Sequence, residues 1–370
     1  MKHECPKAYN CATLSTSRNR RRRAGPRQSG SFMSQRKLSR QQRWRVEKVQ
    51  AERVKRAEKR EHLDQRQLAE GEYGPEQLGR VVAHFGRNME VEGSDGIRHL
   101  CHLRANLDTL VTGDRVSWRE ASDGSGVVEA RLERYSTLER PDARGRLKSV
   151  AANIDRIMIV FAVEPEPHPF LIDRYLVAAE ATGIAPALVL NKMDLLDEHH
   201  ALHALAGRYR ALGYPVIGAS ARRDGGLEDL IEAMDDTTAV FVGQSGVGKS
   251  SLIDALLPDE SLAVGELSVD SRKGRHTTTT ARLYHFRQGS GALIDSPGIR
   301  EFGLGHLDEQ QVENGFIEFR PYLGHCRFRD CRHRFEPGCA ILAAAENGEI
   351  LPERLESFRR IVHELNVPPR

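Results

Sequence analysis

The sequence predicts three folded parts in a row: a small β-barrel, an α/β domain with a mainly parallel sheet, and a mainly helical C-terminal part. Short alternating runs separated by glycine and aspartate turns fill residues 79–140, which is typical of small β-strands. Apolar runs alternate with helical stretches over residues 154–295, and cysteine and histidine crowd into residues 326–339. A chain of 370 residues is long enough for this set. The expected parts are a basic arm over 1–76, the barrel over 77–142, the α/β domain over 143–305 and the C-terminal part over 306–370.

The N-terminal arm is dense in arginine and lysine, over residues 18–23 and again over residues 36–60. A basic segment with few aliphatic residues is typical of disorder, or of a helix that forms on binding, and it suits contacts with phosphates. It contains no apolar run like that of a secretory signal, and the sequence has no run long enough to span a membrane. Met33 is a plausible alternative start, and residues 1–32 could equally be an inert tail.

The barrel is predicted from strands that include residues 79–85, 97–101 and 114–118. About five strands in this length fit an OB-type barrel, which commonly binds nucleic acid, although composition alone fits an SH3-like barrel equally well. Four side chains could line an RNA-binding face or a solvated edge: Arg98, His99, His102 and Arg104.

The α/β domain is predicted from alternating strands and helices. The strands cover residues 154–163, 187–190 and 215–218, and the helices cover residues 170–182, 199–212 and 227–234. This alternation is typical of a parallel sheet with crossover helices. Strands ending at Val242, His285 and Asp295 would complete a sheet of six strands.

A glycine-rich motif, G-x-x-x-x-G-K-S, follows the strand that ends at Val242 and precedes a helical stretch that stops at Pro258. The order of strand, turn and helix is the context in which this motif binds phosphates. Backbone N–H groups and the helix N-terminus bind the phosphates, the lysine reaches the β- and γ-phosphates, and the serine hydroxyl binds Mg²⁺. Lys249 is therefore also a catalytic candidate, and Ser250 a Mg²⁺ ligand. The predicted nucleotide-binding residues here are Gly243, Gln244, Ser245, Gly246, Val247, Gly248, Lys249, Ser250 and Ser251.

A second motif, Asn-Lys-Met-Asp, follows another apolar strand and is predicted to read guanine. The Asp194 carboxylate can accept two hydrogen bonds from guanine, whereas adenine offers no such pair of donors. We expect Asn191 to brace the loop and the stem of Lys192 to cover the base. Met193, the third residue of the motif, is also counted among the predicted nucleotide-binding residues. The two motifs together favour GTP over ATP, which disfavours an ATP-dependent kinase or ATPase.

The order of the motifs is inverted relative to Ras-like GTPases, because the guanine motif at residues 191–194 precedes the phosphate loop. Between them, Ser220 and Ala221 end another strand. They fit the second guanine-contacting loop, which offers backbone N–H groups to the base. The parts of a GTPase are present, but in a permuted order.

Two further segments would complete the site. Asp295 begins a D-x-x-G motif, in which it would hold Mg²⁺ through water while the N–H of Gly298 senses the γ-phosphate. A run of four threonines lies between this motif and the phosphate loop. It is expected to supply the second Mg²⁺ ligand, with Thr278 or Thr279 as the candidates.

A cluster with the spacing C-x4-C-x-H-x5-C is predicted to bind zinc. Three thiolates and an imidazole are the ligand set of a closed structural site, and in a charged segment poor in aliphatic residues a metal would replace a hydrophobic core. Disulfide bonds are the alternative, and they are disfavoured because thiols in the cytosol stay reduced. Elsewhere, Cys5, Cys11 and Cys101 show no pairing pattern. The ligands are Cys326, Cys331, His333 and Cys339.

Together, these motifs, the G-R-H-T-T-T segment at residues 274–279 and the cysteine cluster resemble the RsgA (YjeQ) family of circularly permuted GTPases, from about residue 78 onward. The resemblance implies an α/β P-loop GTPase domain, preceded by an OB-fold RNA-binding domain and followed by a zinc-binding domain. It also implies a cytoplasmic protein that binds the small (30S) ribosomal subunit and its 16S rRNA, and hydrolyses GTP during late maturation of that subunit. We expect a monomer. The alternative is a GTP-binding translation or tRNA-modification factor.

Ile299 stands directly after Gly298, where Ras-like enzymes carry the glutamine that positions the attacking water. Isoleucine cannot form a hydrogen bond with water, so we expect slow catalysis by the free protein. A missing group supplied in trans is worth about 10³- to 10⁵-fold in rate. His276 is our candidate to orient the water, and the ribosome is the other possible source. His276 could equally be a solvated loop residue or an RNA contact.

Overall fold

The first five strands form a closed barrel. The structure, a computed structural model, describes residues 73–86, 88–104, 107, 109–142, 145–257, 281–295 and 307–366. The order around the barrel is β1-β2-β3-β5-β4, with β4 closing on β1, and β3 and β5 are the parallel pair. This is the OB-like barrel that the resemblance implied. Its strands are β1 (Tyr73–Phe85), β2 (Asn88–Gly93), β3 (Arg98–Leu103), β4 (Arg115–Ala121) and β5 (Gly126–Arg131).

A two-stranded hairpin follows the barrel. β6 (Thr137–Pro141) pairs with β7 (Leu147–Ala152) in a sheet of its own. The hairpin therefore lies across the predicted boundary between residues 142 and 143. Sequence patterning did not predict it, because its strands are short and its buried residues are few.

The second sheet has the six strands that the sequence predicted. Their order is β10-β9-β8-β11-β13-β12, and all neighbours are parallel except β12 with β13. Strand β12 also pairs with β1 of the barrel, so the two sheets are continuous. The strands are β8 (Arg156–Ala162), β9 (Ala185–Asn191), β10 (Val216–Gly218), β11 (Thr238–Gly243), β12 (Arg282–His285) and β13 (Ala292–Asp295).

Helices cover both faces of this sheet. Helices α1 and α2 pack on one face through residues such as Leu176 and Leu205, whereas α3 and α4 pack on the other through residues such as Leu230 and Leu252. Parallel strands buried on both faces are typical of α/β folds. The bounds are α1 (Pro169–Thr182), α2 (Ala201–Ala211), α3 (Glu228–Ala233) and α4 (Lys249–Leu256).

The C-terminal part shares a core with helix α1. Phe316, Phe319 and Phe358 pack together and contact Val177 and its neighbours on α1. Within the described residues, no helix is long and apolar enough to cross a bilayer. The elements are α5 (Glu309–Gly315), a 3-10 turn (Ile317–Tyr322), α6 (Ala340–Glu346) and α7 (Pro352–Asn366).

A buried ion-pair network fixes this contact. Arg354 on α7, only 3% exposed, donates to Asp173 of α1 at 2.6 Å and to Glu318 at 2.6 Å. The hydroxyl of Tyr209 on α2 donates to the same Asp173 carboxylate at 2.7 Å. Removing one partner of such a network leaves an uncompensated buried charge, so the network holds α1, α2 and α7 in one arrangement.

Candidate nucleotide-binding site and metal centre

The phosphate loop joins β11 to helix α4, as the sequence predicted. Gly243 has φ of +140°, and a Cβ there would lie 2.2 Å from the carbonyl oxygen of Val160 on the neighbouring strand. Only glycine allows the chain to leave the sheet in this way. The central residues Gln244, Ser245 and Gly246 are exposed, so their backbone can approach a ligand.

Lys249, the first residue of α4, lies over the loop. Its Nζ donates to the carbonyl oxygens of Gly243 and Gln244, both at 2.7 Å. The ammonium group is thus held at the centre of the loop, where a lysine of this motif acts on phosphate. Ser250 and Ser251 follow in the first turn of the helix, and both are exposed.

The guanine motif and the phosphate loop meet in space. Asn191 is 2% exposed, and its Nδ2 donates to the carbonyl oxygen of Val247 at 2.8 Å. The approach is close because Gly248, with φ of +92°, has no Cβ; a Cβ there would lie 2.4 Å from that Nδ2. The bracing role predicted for Asn191 is therefore geometrically possible, across 56 residues of chain.

Lys192 adds a second bridge between the two motifs. It adopts the left-handed conformation, with φ of +62°, and its Nζ donates to the carbonyl oxygens of Gly246 at 3.0 Å and Glu164 at 2.5 Å. Sequence reasoning missed the loop at Glu164, which follows β8. The residue carries no motif and acts through its backbone, so no sequence signal could have identified it.

Asp194 is exposed at the end of this motif and is oriented by a neighbour. The hydroxyl of Ser220 donates to Asp194 Oδ1 at 2.5 Å. This hydrogen bond is the main cause that lowers the pKa of the Asp194 carboxyl group. The carboxylate is therefore kept ionised, as an acceptor of hydrogen bonds. The sequence predicted a backbone contact to the base from Ser220, but not this role for its side chain.

The remaining parts of the loop system lie close by in the fold. The N–H of Met193 donates to the carbonyl oxygen of Ala219 at 3.1 Å, which places the motif beside Ser220 and Ala221. Asp295 ends β13, directly beside β11, so it lies at the same edge of the sheet as the phosphate loop. Five predicted residues lie outside the described part of the chain: His276, Thr278, Thr279, Gly298 and Ile299.

The cysteine cluster forms one compact site. Its four ligand atoms all lie within 4.8 Å of one another, and they belong to Cys326, Cys331, His333 and Cys339. The sulfurs of Cys326 and Cys339 are 3.8 Å apart, and each of the sulfurs of Cys326 and Cys331 is 3.6 Å from His333 Nδ1. Tetrahedral coordination at about 2.3 Å for sulfur and about 2.0 Å for nitrogen gives nearly these separations. The residues therefore fit a bound metal ion.

Groups around the cluster hold its ligands in place. His333 Nε2 is 3.5 Å from a carboxylate oxygen of Glu313 on α5, an arrangement that orients a ligating imidazole. The N–H of Ala340 donates to the Cys326 sulfur at 3.4 Å. Cys101 is buried in the barrel core, where burial raises the pKa of its thiol to about 12. It takes no part in the cluster.

The side chains proposed for an RNA face lie on or beside β3. Arg98 Nε donates to Glu92 at 3.3 Å, Arg104 donates to Glu129 at 2.9 Å, and the ring of His99 lies 4.6 Å from that of Trp118. His102 is half-buried on the same strand.

Comparison with known proteins decides the family. The model of a family described as RsgA GTPase matches residues 131–305. A curated relative from Chromohalobacter salexigens, named small ribosomal subunit biogenesis GTPase RsgA, is 68% identical over 335 residues, which are 89% of this chain and 98% of that protein. This chain belongs to the RsgA GTPase family. It is therefore a GTPase, and the sequence resemblance is confirmed.

Solved structures agree with this assignment. YjeQ from Thermotoga maritima is 34% identical with a TM-score of 0.66, and the match covers 80% of this chain and 100% of that one. YloQ, described as a circularly permuted GTPase, is 29% identical with a TM-score of 0.64, over 80% of this chain and 97% of that one. The permuted RsgA-type fold predicted from the inverted motif order is confirmed.

Proposed function

We propose that this GTPase binds the small (30S) ribosomal subunit, with its 16S rRNA, and hydrolyses GTP during late maturation of that subunit. We further propose that the subunit stimulates turnover. The observation that carries the proposal is the contact of Asn191 and Lys192 with the phosphate loop, in a chain that is 68% identical to a relative named for biogenesis of this subunit. One nucleotide can therefore contact both motifs at once.

In the proposed complex, Asp194 reads guanine and Asn191 and Lys192 brace the base-binding loop. Ser220 and Ala221 contact the base from the other side, and the phosphate loop holds the phosphates around Lys249. GDP is the product and occupies the same residues. The Gly298 N–H senses the γ-phosphate.

Two metals belong to the proposal. Mg²⁺ binds with GTP through Ser250, one of Thr278 and Thr279, and, through water, Asp295. Zinc occupies the Cys326, Cys331, His333 and Cys339 cluster in a structural role, because three thiolates and one imidazole close its coordination. Removal of the metal should therefore lower the stability of the fold and should not act directly on GTP hydrolysis.

The proposed organisation keeps a basic arm over residues 1–76, an RNA-binding barrel over 77–142, the permuted GTPase domain over 143–305 and the zinc domain over 306–370. The arm would contact rRNA phosphates, so subunit binding should weaken steeply as salt rises. We propose that the protein acts as a monomer in the cytoplasm.

GTP turnover with purified particles tests the function. We expect 30S subunits to raise the turnover number by roughly 10³-fold, and 50S subunits and 70S ribosomes to raise it much less. A preference for 50S or 70S particles would instead favour a translation factor, and stimulation by tRNA a modification factor. Asp194→Asn is the control: it should weaken GTP binding by about 10²-fold and admit xanthosine triphosphate, because an amide can donate to the extra carbonyl group.

His276 is proposed to orient the attacking water in place of the glutamine that Ile299 replaces. His276→Ala should keep the affinity for GTP but lose most of the stimulated turnover, since the side chain would act in the transition state only. Equal turnover by variant and parent at saturating 30S subunits would exclude this role.

A further inference from the structure

Acidic side chains of the barrel reach across to the GTPase sheet. Strand β12 pairs with β1 at Ala83 and Arg282, and the neighbouring barrel strand β2 supplies two carboxylates. Arg282 donates to Glu90 at 2.6 Å, and His285 Nε2 lies 2.6 Å from a carboxylate oxygen of Glu92. We call these two pairs the junction.

Three of the four side chains of the junction are partly buried, unlike those of an ordinary surface ion pair. The side chains of Arg282, Glu90 and Glu92 are 19%, 24% and 13% exposed, whereas that of His285 is 47% exposed. Partly buried pairs are less screened by salt than exposed ones. Burial alone would raise the pKa of Glu92, but hydrogen bonds from His285 and Arg98 outweigh it, and the pKa is lowered. Glu92 therefore stays ionised at neutral pH.

One end of the junction directly follows the threonine run in sequence. Ala281 directly follows Thr280, and its carbonyl oxygen accepts a hydrogen bond from the hydroxyl of Thr112 at 2.8 Å. Thr112 is buried and precedes barrel strand β4. Thr112 and Glu90 thus hold two consecutive residues, Ala281 and Arg282, at the start of β12.

The other end lies on the outer face of the barrel. Glu92 is opposite Arg98 on β3 and shares its carboxylate between Arg98 and His285. Arginine binds phosphate through paired hydrogen bonds, so RNA phosphate at this face would compete with Glu92 for Arg98. Loss of Arg98 from Glu92 would in turn alter the contact between Glu92 and His285, which lies on the GTPase sheet.

We propose that the junction transmits binding at the barrel to β12 and hence to the segment that precedes it. Glu90, Glu92, Arg282 and His285 then transmit the stimulation by the subunit and take no part in intrinsic turnover. Coupling between two sites requires an element that both sites influence, and β12 is a strand of the GTPase sheet that also pairs with β1 of the barrel. The inference rests on the proposed function, because it needs a subunit that binds the barrel and speeds turnover.

The full-length variants Glu90→Gln and Arg282→Gln test the inference. Turnover is measured with and without saturating 30S subunits, and subunit affinity by co-sedimentation with a non-hydrolysable GTP analogue. We expect intrinsic turnover and affinity to stay within about twofold of the parent, and stimulated turnover to fall at least about fivefold, the lower end of typical coupling. Combining Glu90→Arg with Arg282→Glu should recover much of the stimulation.

Glu129→Gln is the matched control. Glu129 is 17% exposed and pairs with Arg104 at 2.9 Å and Arg119 at 3.1 Å, and both of these partners belong to the barrel rather than to β12. It should keep full stimulation. Thermal unfolding checks that the variants fold, and Glu92→Gln replaces any that does not.

Full stimulation of Glu90→Gln would overturn the inference, and so would a loss confined to subunit affinity. A parent that is not stimulated by 30S subunits would refute the proposed function as well. A stimulated parent with equally stimulated variants would refute the junction alone.

Discussion

At the scale of single residues, the proposed selection of guanine would depend on how firmly the Asp194 carboxylate is oriented. The carboxylate is exposed, so it could rotate freely without the hydroxyl of Ser220, which lies 2.5 Å from Oδ1. Ser220 itself is 1% exposed and cannot easily move. The proposed recognition of the base therefore involves a pair of residues 26 positions apart.

Ser220→Ala should weaken GTP binding about fivefold, since one hydrogen bond that orients the acceptor is lost, at about 1 kcal/mol. Titration with a fluorescent GTP analogue measures the change. Ser290→Ala is the matched control, because Ser290 donates to Asp235 at 2.6 Å in the same manner but away from the guanine motif. Equal affinities for the Ser220 and Ser290 variants would contradict the orienting role.

At the scale of elements, the phosphate loop can approach the guanine motif because glycine stands where a side chain would collide. Gly248 directly precedes α4, adopts the left-handed conformation and lies against the amide of Asn191. Glycine is required here for two reasons: the turn into α4 needs a positive φ, and the Asn191 side chain leaves no space for a Cβ. The absence of a Cβ at Gly248 therefore allows the motif at residues 191–194 to contact the phosphate loop at residues 243–250.

Gly248→Ala should weaken GTP binding at least tenfold. The left-handed conformation costs roughly 1–2 kcal/mol for alanine, and the Asn191 to Val247 hydrogen bond would be strained as well. Gly207→Ala, in helix α2, is the control: its Cβ would meet no atom within 4 Å, and we expect it to be neutral or stabilising by up to about 1 kcal/mol. Calorimetric titration with GDP and thermal unfolding would separate binding from folding, and unchanged GDP affinity in Gly248→Ala would refute this account.

At the scale of the whole molecule, the metal cluster is part of a core that extends to the GTPase domain. Cys339, Phe316, Phe319 and Phe358 belong to the same buried cluster as Val177 on α1, and Arg354 anchors that helix through Asp173. Loss of the metal should therefore also destabilise the packing of α1, outside the segment that binds the metal.

Chelation of the metal should lower the thermal unfolding midpoint of the whole chain, because structural zinc contributes roughly 10–16 kcal/mol in small domains. Cys326→Ser should lose the bound zinc, measured by atomic absorption, whereas Cys101→Ala should retain about one zinc per chain. Full zinc content in Cys326→Ser would exclude Cys326 as a ligand.

The sequence alone determined the strand and helix order, the two motifs proposed to bind nucleotide and the four residues that could hold a metal ion, since each depends on residue types at short spacing. Helix α1 and the strands around residues 156–162 and 238–243 follow their predicted ranges closely. The hairpin β6–β7 could not be predicted, because its pairing joins short, partly exposed runs.

The tertiary structure decided which of these parts touch. The Asn191 to Val247 bond, the Ser220 hydroxyl on Asp194, Glu313 behind His333 and the Glu90 to Arg282 pair all join residues far apart in the chain. Hydrogen bonds and ion pairs depend on distances of a few ångströms in space, and residue spacing along a chain does not fix such distances until the sheets and helices have packed.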